Sequence, residues 1–493
     1  MELETTSVGE TGQSQKLPQS AHINLSHTTG TVHLIGIGGI GMSALARLLL
    51  ARGVAVSGSD RAENTTSAEL AELGARISIG HEANNIDGAS SVVVSTAITQ
   101  DNPELQEAKR RNLPVYHRSQ LLSALTDGHK LIAVSGTHGK TTTTGMVAQV
   151  LLDASYEPTV VVGGISPRIG SNALLGTGDY FVAEADESDG THATMPSYIA
   201  VITNIEADHL ENYPGGIEQI RESMISFANN SQWGTVLCTD DSGCKLIRPS
   251  LQGHVVTYGK ADSSPAADYT YESAAGFGLK VFKSGSCLGE ITLTVPGEHN
   301  KLDALAACVV GLELGVDFTT CAEALGSYTA VARRFQILGQ ESGVVVVDDY
   351  AHHPTEVAAT LQGALHYLNL KKTQTPSRVV AVFQPHQPGR LRDLWEEFSR
   401  AFDQSDLTLV ADIYVARGSN IAGIDSQTFV KTLQQRNLNA HYLPGQTAEL
   451  PEKIVGYLKA GDLVLTIGAG DITKVGWEIL RLLKQGHSDG RAG

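Results

Sequence analysis

The chain has 493 residues, with 53 Asp and Glu against 36 Lys and Arg, a formal net charge of -17 and 41% hydrophobic residues. It is too long for a single core, so two or three domains are expected, and its acidic balance argues against a nucleic-acid partner. Five cysteines without paired spacing, the lack of a basic leader before an apolar stretch, and the lack of any apolar run of about 18 residues argue against a disulfide framework, a zinc ribbon, an export signal or membrane insertion, and point to a cytoplasmic protein.

Residues 1–29 are rich in Ser, Thr, Gln and Gly and poor in large apolar groups, so they are read as a disordered tail. Val32-His33-Leu34-Ile35 then begins a strand that runs into Gly36-Ile37-Gly38-Gly39-Ile40-Gly41-Met42-Ser43, and a helix continues through Leu50. Residues 54–60 supply the next strand, which ends on Asp60. A GxGxxG turn followed by an acid at this distance is a dinucleotide-type βα fingerprint, and by itself would fit a nicotinamide-dependent dehydrogenase. Strands at 91–98 and 115–118 complete a first domain over 30–128.

A second domain, 129–332, opens on Leu131-Ile132-Ala133-Val134-Ser135-Gly136-Thr137-His138-Gly139-Lys140-Thr141-Thr142, before a helical pattern at Met146, Val147, Val150 and Leu151. Strand, glycine loop and helix aim backbone N–H groups and a positive helix end at one point, where a polyphosphate can sit. Lys140 would add a point charge, and the Thr141 hydroxyl would ligate magnesium. The strict P-loop pattern wants a glycine where Val134 stands; here the loop glycine is Gly136. Two acidic clusters follow at strand ends, Glu184 to Asp189 and Asn204 to Glu211, where open α/β sheets bind ligands. Residues 255–295 read as a small antiparallel elaboration, after which Pro296 to Asp303 opens an alanine-rich helix. A third domain, 333–493, starts near Arg333-Arg334-Phe335 and alternates strands and helices again, which argues a parallel sheet. Its His352-His353 pair has no third ligand at metal-binding spacing, so no zinc site is read there.

The order of these motifs resembles the Mur ligase family, over about residues 31–471, and Gly-Thr-His-Gly-Lys-Thr-Thr is that family's form of the phosphate loop. The resemblance implies an α/β fold of three domains: a Rossmann-like N-terminal domain, a P-loop-type central ATPase domain and a Rossmann-like C-terminal domain that closes over ATP and an amino acid. Within the family, the muramate-specific and alanine-adding branch is implied, with ATP and Mg2+ as cofactors, UDP-N-acetylmuramate and L-alanine as partners, and a role in peptidoglycan synthesis. Gly38, Gly39, Gly41, Met42, Ser43, Asp60, Ser95, Ala97 and Arg118 would then hold the UDP-substrate. Gly136, Thr137, His138, Gly139, Lys140, Thr141, Thr142, Asn300, Arg334 and Asp349 would hold ATP. Lys140, Glu184 and His209 would be catalytic, the last two with Thr141 as metal ligands, and His386 and Arg390 of Gln384-Pro385-His386 onward would face the amino acid, with Arg417 a further substrate contact. His209 and His386 are the candidates for a general base.

Three departures from the family pattern stand out: Asp303 where Asn is normal, Gln387 where many members have Arg, and no lysine in 210–240 to be carbamylated. The last is expected of the alanine-adding branch. Two other readings share part of the pattern: a murein tripeptide ligase acting on the same UDP-sugar, and, more distantly, the dehydrogenase. Nothing in the sequence specifies an oligomer.

Overall fold

The computed structural model describes residues 30–188, 190–371, 377–415 and 419–489. The tail expected at 1–29 and the contact expected at Arg417 lie outside the described residues. The chain divides into two compact units, Met1–Asp127 and Gly128–Gly493, and the described residues form three sheets.

In the first unit the elements alternate: β1 (Thr31–Ile35), α1 (Ile40–Ala51), β2 (Val56–Asp60), α2 (Thr65–Glu72), β3 (Arg76–Ile79), β4 (Ala89–Val94), α3 (Pro103–Arg110), β5 (Val115–His117) and α4 (Arg118–Leu125). The sheet order is β3-β2-β1-β4-β5, all parallel, with Leu34 paired to Gly58 on one side and to Val93 on the other. Val92, Val93 and Val94 are all buried, the unbroken apolar run of a strand covered on both faces. The strand order reverses beside β1, so the loop after β1 opens at the crevice where such sheets take ligands.

The second unit holds the other two sheets. The central one comprises β6 (Lys130–Ser135), α5 (Lys140–Asp153), β7 (Thr159–Ser166), β8 (Ser171–Leu174), β9 (Tyr180–Glu184), β10 (Ile199–Ile202), α6 (Gly216–Asn229), β11 (Gly234–Cys238), α7 (Ser242–Ile247), β12 (Val255–Lys260), β13 (Tyr269–Ser273), β14 (Gly278–Lys283), β15 (Ser286–Thr292), α8 (Glu298–Glu313) and α9 (Phe318–Gly326). Its order is β15-β14-β13-β12-β11-β10-β6-β9-β7-β8. The stretch expected as a small antiparallel elaboration differs in part: β12 pairs parallel with both β11 and β13, and only β13, β14 and β15 run antiparallel, all as a continuation of the main sheet. Helix α5 is buried from Thr141 to Leu151 because α8 covers it, and the small Ala304, Ala306, Ala307 and Cys308 of α8 are themselves fully buried in that core. Cys238, Cys244, Cys308 and Cys321 are buried, whereas Cys287 is exposed on β15, the outermost strand.

The third sheet follows from β16 (Gln336–Glu341), β17 (Val344–Asp349), α10 (Pro354–Lys371), β18 (Arg378–Phe383), α11 (Pro388–Asp393), β19 (Leu407–Ala411), β20 (Ala440–Leu443) and β21 (Asp462–Ile467). Its order is β16-β17-β21-β18-β19-β20, parallel except for β16. Asp349 and Phe383 both pair with Ile467, which brings the loops after β17, β18 and β21 to one end.

Candidate active site

In the first unit the glycine turn is closed by the acid that follows it. Asp60, at the end of β2, accepts the Gly38 N–H at 2.9 Å through one oxygen and the Arg61 N–H at 2.8 Å through the other. A side chain at Gly38 would meet the Asn64 carboxamide and the Asp60 carboxylate, so glycine there lets the two loops approach without moving either group. Gly39 lies within hydrogen-bond reach of the Gly36 carbonyl and starts α1, Met42 and Ser43 are buried on its first turn, and a Cβ on Gly41 would sit 3.4 Å from the Arg118 guanidinium. Arg118 heads α4, so its charge and the glycine turn share one end of the sheet. Ser95 follows β4 and its hydroxyl accepts the Ala97 N–H at 3.3 Å. Asn64 was not singled out from sequence; its side chain caps α2 through the Ser67 N–H at 2.8 Å, an Asn-x-x-Ser cap that the sequence does carry.

In the second unit the carboxyl ends of β6, β9 and β10 converge, with Val134 paired to Glu184 and Ser135 to Ile202. Val134, where the strict motif has glycine, is a buried strand residue, and the loop proper is the four residues Gly136 to Gly139. Gly136 has φ +135° and any Cβ on it would collide with the Thr203 hydroxyl; Gly139 has φ +81° and one on it would lie 2.6 Å from Asp303 Oδ1. Both positions therefore demand glycine. The loop is gripped by a residue the sequence reading passed over: Asn204 Oδ1 accepts the His138 N–H at 2.7 Å, its carbonyl accepts the Thr137 N–H at 3.1 Å, and its Nδ2 donates to the His138 carbonyl at 2.9 Å. Two loop amides expected to be available to phosphate are thus engaged by Asn204.

Lys140, the first residue of α5, donates to the Gly136 carbonyl at 2.7 Å and the Thr137 carbonyl at 3.2 Å, and pairs with Glu187 at 2.7 Å. Burial would push its pKa down, but Glu187, Asp186 and Glu184 outweigh that and raise it to about 12, so it is a fixed cation. Thr141 and Thr142 are buried beside it on the first turn. Glu184 ends β9, and its Oε1 accepts the Gly163 N–H at 2.6 Å. His209 stands in a left-handed conformation, φ +52°, with its N–H on Asp208 at 2.8 Å and its ring 3.6 Å from the same carboxylate. Hydroxyl and carboxylate oxygens around Lys140 suit a hard dication. A metal-type cluster among the described residues is a different one, however: His138, Glu206 and His353, with one ligand atom of each within 4.8 Å of the others.

The loops of the third sheet reach this end of the central one. Arg390, on α11, lies 3.1 Å from Asp208, with both side chains nearly buried. Burial raises the Asp208 pKa, but Arg390 and His209 pull it well below the usual carboxylate range. Arg334 is held charged in a buried setting by Glu356, Asp349 and Glu184, and its guanidinium lies 5.4 Å from the centre of the Tyr350 ring. Its neighbour Arg333 does structural work instead, pairing with Asp348 at 3.3 Å and donating to the Gly470 carbonyl. Asp349 accepts the Phe335 and Ala351 N–H groups at 2.7 and 2.8 Å; burial lifts its pKa to about 6 against the pull of Arg334. His386 stacks on Tyr414 at 5.8 Å and meets His352 at 5.8 Å. Gln387 is left-handed, φ +68°, directly before α11. Asn300 is buried at the start of α8 and donates to the Pro296 carbonyl at 2.6 Å. Asp303, one turn on, accepts from Thr143 at 2.9 Å beneath Gly139, and burial lifts its pKa to about 7.

Sequence reasoning missed Asn204, Glu187, Asp208 and Glu356 as individuals. The first three lie in the two acidic clusters it did mark, but which member turns inward is set by the sheet register. Glu356 lies on α10, one turn after His352, and gives no local signal.

Three family descriptions match in chain order: "Mur ligase family, catalytic domain" over 31–130, "Mur ligase middle domain" over 134–311, and "Mur ligase, glutamate ligase domain" over 333–470. The chain is 41% identical to a UDP-N-acetylmuramate--L-alanine ligase of Trichlorobacter lovleyi over 92% of its own length and 98% of that protein's. Among solved structures, the UDP-N-acetylmuramate-alanine ligase MurC of Thermotoga maritima superposes with a TM-score of 0.80 at 30% identity, covering 93% of this chain and 100% of that one. A murein peptide ligase of Psychrobacter arcticus shares the fold, with a TM-score of 0.68 at 22% identity over 92% of this chain and 99% of that one. Matched from β1 to the loop after β21, with its phosphate-loop lysine set among carboxylates, the chain belongs to the Mur ligase family.

Proposed function

We propose that this chain is an ATP-dependent ligase that joins L-alanine to UDP-N-acetylmuramate, releasing ADP and phosphate, in peptidoglycan precursor synthesis. The observation that carries a ligase reading is Lys140: a buried, permanently charged amine at a helix start, facing Glu184, Asp186 and Glu187. A dehydrogenase has no use for it. The choice of substrates rests on the names of the relatives, and a cytoplasmic setting goes with them; no helix among the described residues is long and apolar enough to cross a membrane.

In this reading residues 30–128 hold the UDP-sugar through Gly38, Gly39, Gly41, Met42, Ser43, Asp60, Ser95, Ala97 and Arg118. Residues 129–332 hold ATP at Gly136 to Thr142 and Asn300, and residues 333–493 add Arg334 and Asp349. A carboxylate is a poor electrophile, so the lactyl carboxylate first takes the γ-phosphoryl group of ATP. The alanine amine then attacks the acyl phosphate carbonyl through a tetrahedral intermediate, and phosphate leaves. Lys140 exchanges Glu187 and its loop carbonyls for phosphoryl oxygens as charge develops on them. Magnesium held by Thr141, Glu184 and His209 supplies further charge neutralisation when bound. Arg390 exchanges Asp208 for the carboxylate of the amino acid, and His386 lies along its side.

A site built for one small residue should still accept glycine, since a missing methyl is worth about 1 to 3 kcal/mol, roughly 10- to 200-fold. L-Serine should fall in the same range, and peptides should be excluded by overlap. The test is a competition of L-alanine, glycine, L-serine and the murein tripeptide for limiting UDP-N-acetylmuramate, with products weighed by mass spectrometry. Preferential incorporation of the tripeptide would replace this reading by that of a tripeptide ligase.

A further inference from the structure

The His352-His353 pair lacks a third ligand in the sequence around it, but the fold delivers two from far away. His353 directly precedes α10, His138 precedes α5 and Glu206 follows β10, and one ligand atom from each falls within 4.8 Å of the others. His138 Nε2 is 3.4 Å from Glu206 Oε2, and His353 Nδ1 is 3.9 Å from that same oxygen. We propose that His138, Glu206 and His353 bind a divalent transition metal of the zinc, cobalt and nickel class, at a site distinct from the magnesium residues, and that the ion staples the phosphate loop to the loop ahead of α10.

The orientation of each side chain is already fixed by a second set of partners. His138 Nδ1 lies 3.1 Å from Glu356 Oε1 and donates to it, which turns Nε2 to Glu206, where a metal would replace its proton; a carboxylate behind the imidazole is the usual support of a metal-bound histidine. The other Glu356 oxygen accepts the His352 and His353 backbone N–H groups at 3.0 and 3.3 Å, tying α10 to the same group. Glu206 Oε2 is aimed by the Thr355 hydroxyl at 2.9 Å. His353 is only 5% exposed, and neither of its ring nitrogens has a hydrogen-bond partner, an arrangement that costs free energy unless something else satisfies them.

Ligand atoms around a tetrahedral zinc stand about 3.3 Å apart, given bonds near 2.0 Å. The His138 and Glu206 atoms already meet that spacing, His353 needs to close on Glu206 by about half an ångström, and the two imidazoles, whose ligand atoms lie within 4.8 Å of each other, must also draw together. Two imidazoles and one carboxylate favour a borderline metal over magnesium, which prefers oxygen alone. Three protein ligands also leave a coordination position open. The competing occupant is a proton: burial lowers the His138 pKa, but Glu206 and Glu356 reverse this and raise it to about 9, so a protonated His138 can bridge the carboxylates by itself.

Cobalt separates the two. Co2+ is titrated into the full chain with magnesium in excess, and visible d–d absorption is followed. One equivalent should bind with the strong bands of a low-coordinate nitrogen and oxygen site. His353→Ala and Glu206→Gln should each weaken binding at least tenfold, while His209→Ala leaves it unchanged. No stoichiometric band in the wild type, or a band lost in His209→Ala and retained in His353→Ala, overturns the proposal. If His353→Ala loses its near-UV circular dichroism, the isosteric Glu206→Gln, which still accepts from Thr355, decides by the same criterion.

Discussion

Replacing Lys140 with alanine should damage the protein in two separable ways. The lysine stands 2.7 Å from Glu187, and the two side chains are 16% and 5% exposed. Removing one partner of a buried pair leaves an uncompensated charge, at a cost of about 3–5 kcal/mol. For a domain of this size that lowers the melting temperature by roughly 6–20 °C. Loss of the cation from the phosphoryl group should cost about 3 kcal/mol of barrier or more, at least about a hundredfold in turnover. Lys140→Ala/Glu187→Gln divides these effects: with the buried Glu187 carboxylate neutralised as well, most of the lost stability should return while turnover stays low. The pH dependence carries a matching signature. Burial raises the Glu187 pKa even with Lys140 present, and removal of the lysine raises it further. A raised carboxyl pKa means the folded state binds the proton more tightly, so the single variant should lose stability as pH rises from the unfolded Glu value near 4.3 through the folded pKa. Scanning calorimetry across pH and phosphate release with both substrates are the assays. Recovery of turnover in the double variant would remove Lys140 from the chemistry, and failure of Glu187→Gln to restore stability would remove Glu187 as the source of the strain.

If His209 ligates magnesium, His209→Ala should raise the magnesium concentration for half-maximal rate; a lowered melting temperature with an unchanged magnesium titration would leave it a structural residue. UDP-sugars and ATP should protect against thermal unfolding and nicotinamide cofactors should not, because Asp60 is read as serving a uridine ribose; strong protection by NAD would reverse the assignment of residues 30–128. Asp208 is depressed by Arg390, so this pair stabilises above the unfolded Asp value near 3.9 and its contribution fades as pH falls through the depressed pKa; Arg390→Gln should lower stability at neutral pH and flatten the acid limb, and an unchanged limb would refute the pairing. Gly136→Ala should destabilise by about 1–3 kcal/mol or more, from a φ of +135° and collision with Thr203, and Thr203→Ser, which keeps the hydroxyl, should not rescue it.

What the sequence made legible was whatever is written locally. Glycines that need a left-handed or crowded backbone, such as Gly136 and Gly139, announce themselves between a strand and a helix, and apolar runs such as 344–347 mark buried parallel strands. Long-range pairing is not local. Asn204 grips the phosphate loop because Ile202 pairs with Ser135, a register no window of sequence contains. Glu356 and Glu206 flank His138 only because α10 and the loop after β10 meet there, and for the same reason His353 was read without the ligands that surround it. The parallel run of β12 was missed because period-two alternation reports a strand, not its direction.

The distribution of thiols makes the native chain ready for site-specific labelling. With Cys238, Cys244, Cys308 and Cys321 buried, a maleimide dye should react at Cys287 alone, with no cysteine-free background to engineer. β15 lies six strands along the sheet from β6, and at about 4.8 Å per strand the dye would sit some 29 Å from the phosphate loop. That is a working distance for resonance energy transfer, so a fluorescent nucleotide arriving at Gly136 to Thr142 could be timed on unmodified sequence, one molecule at a time.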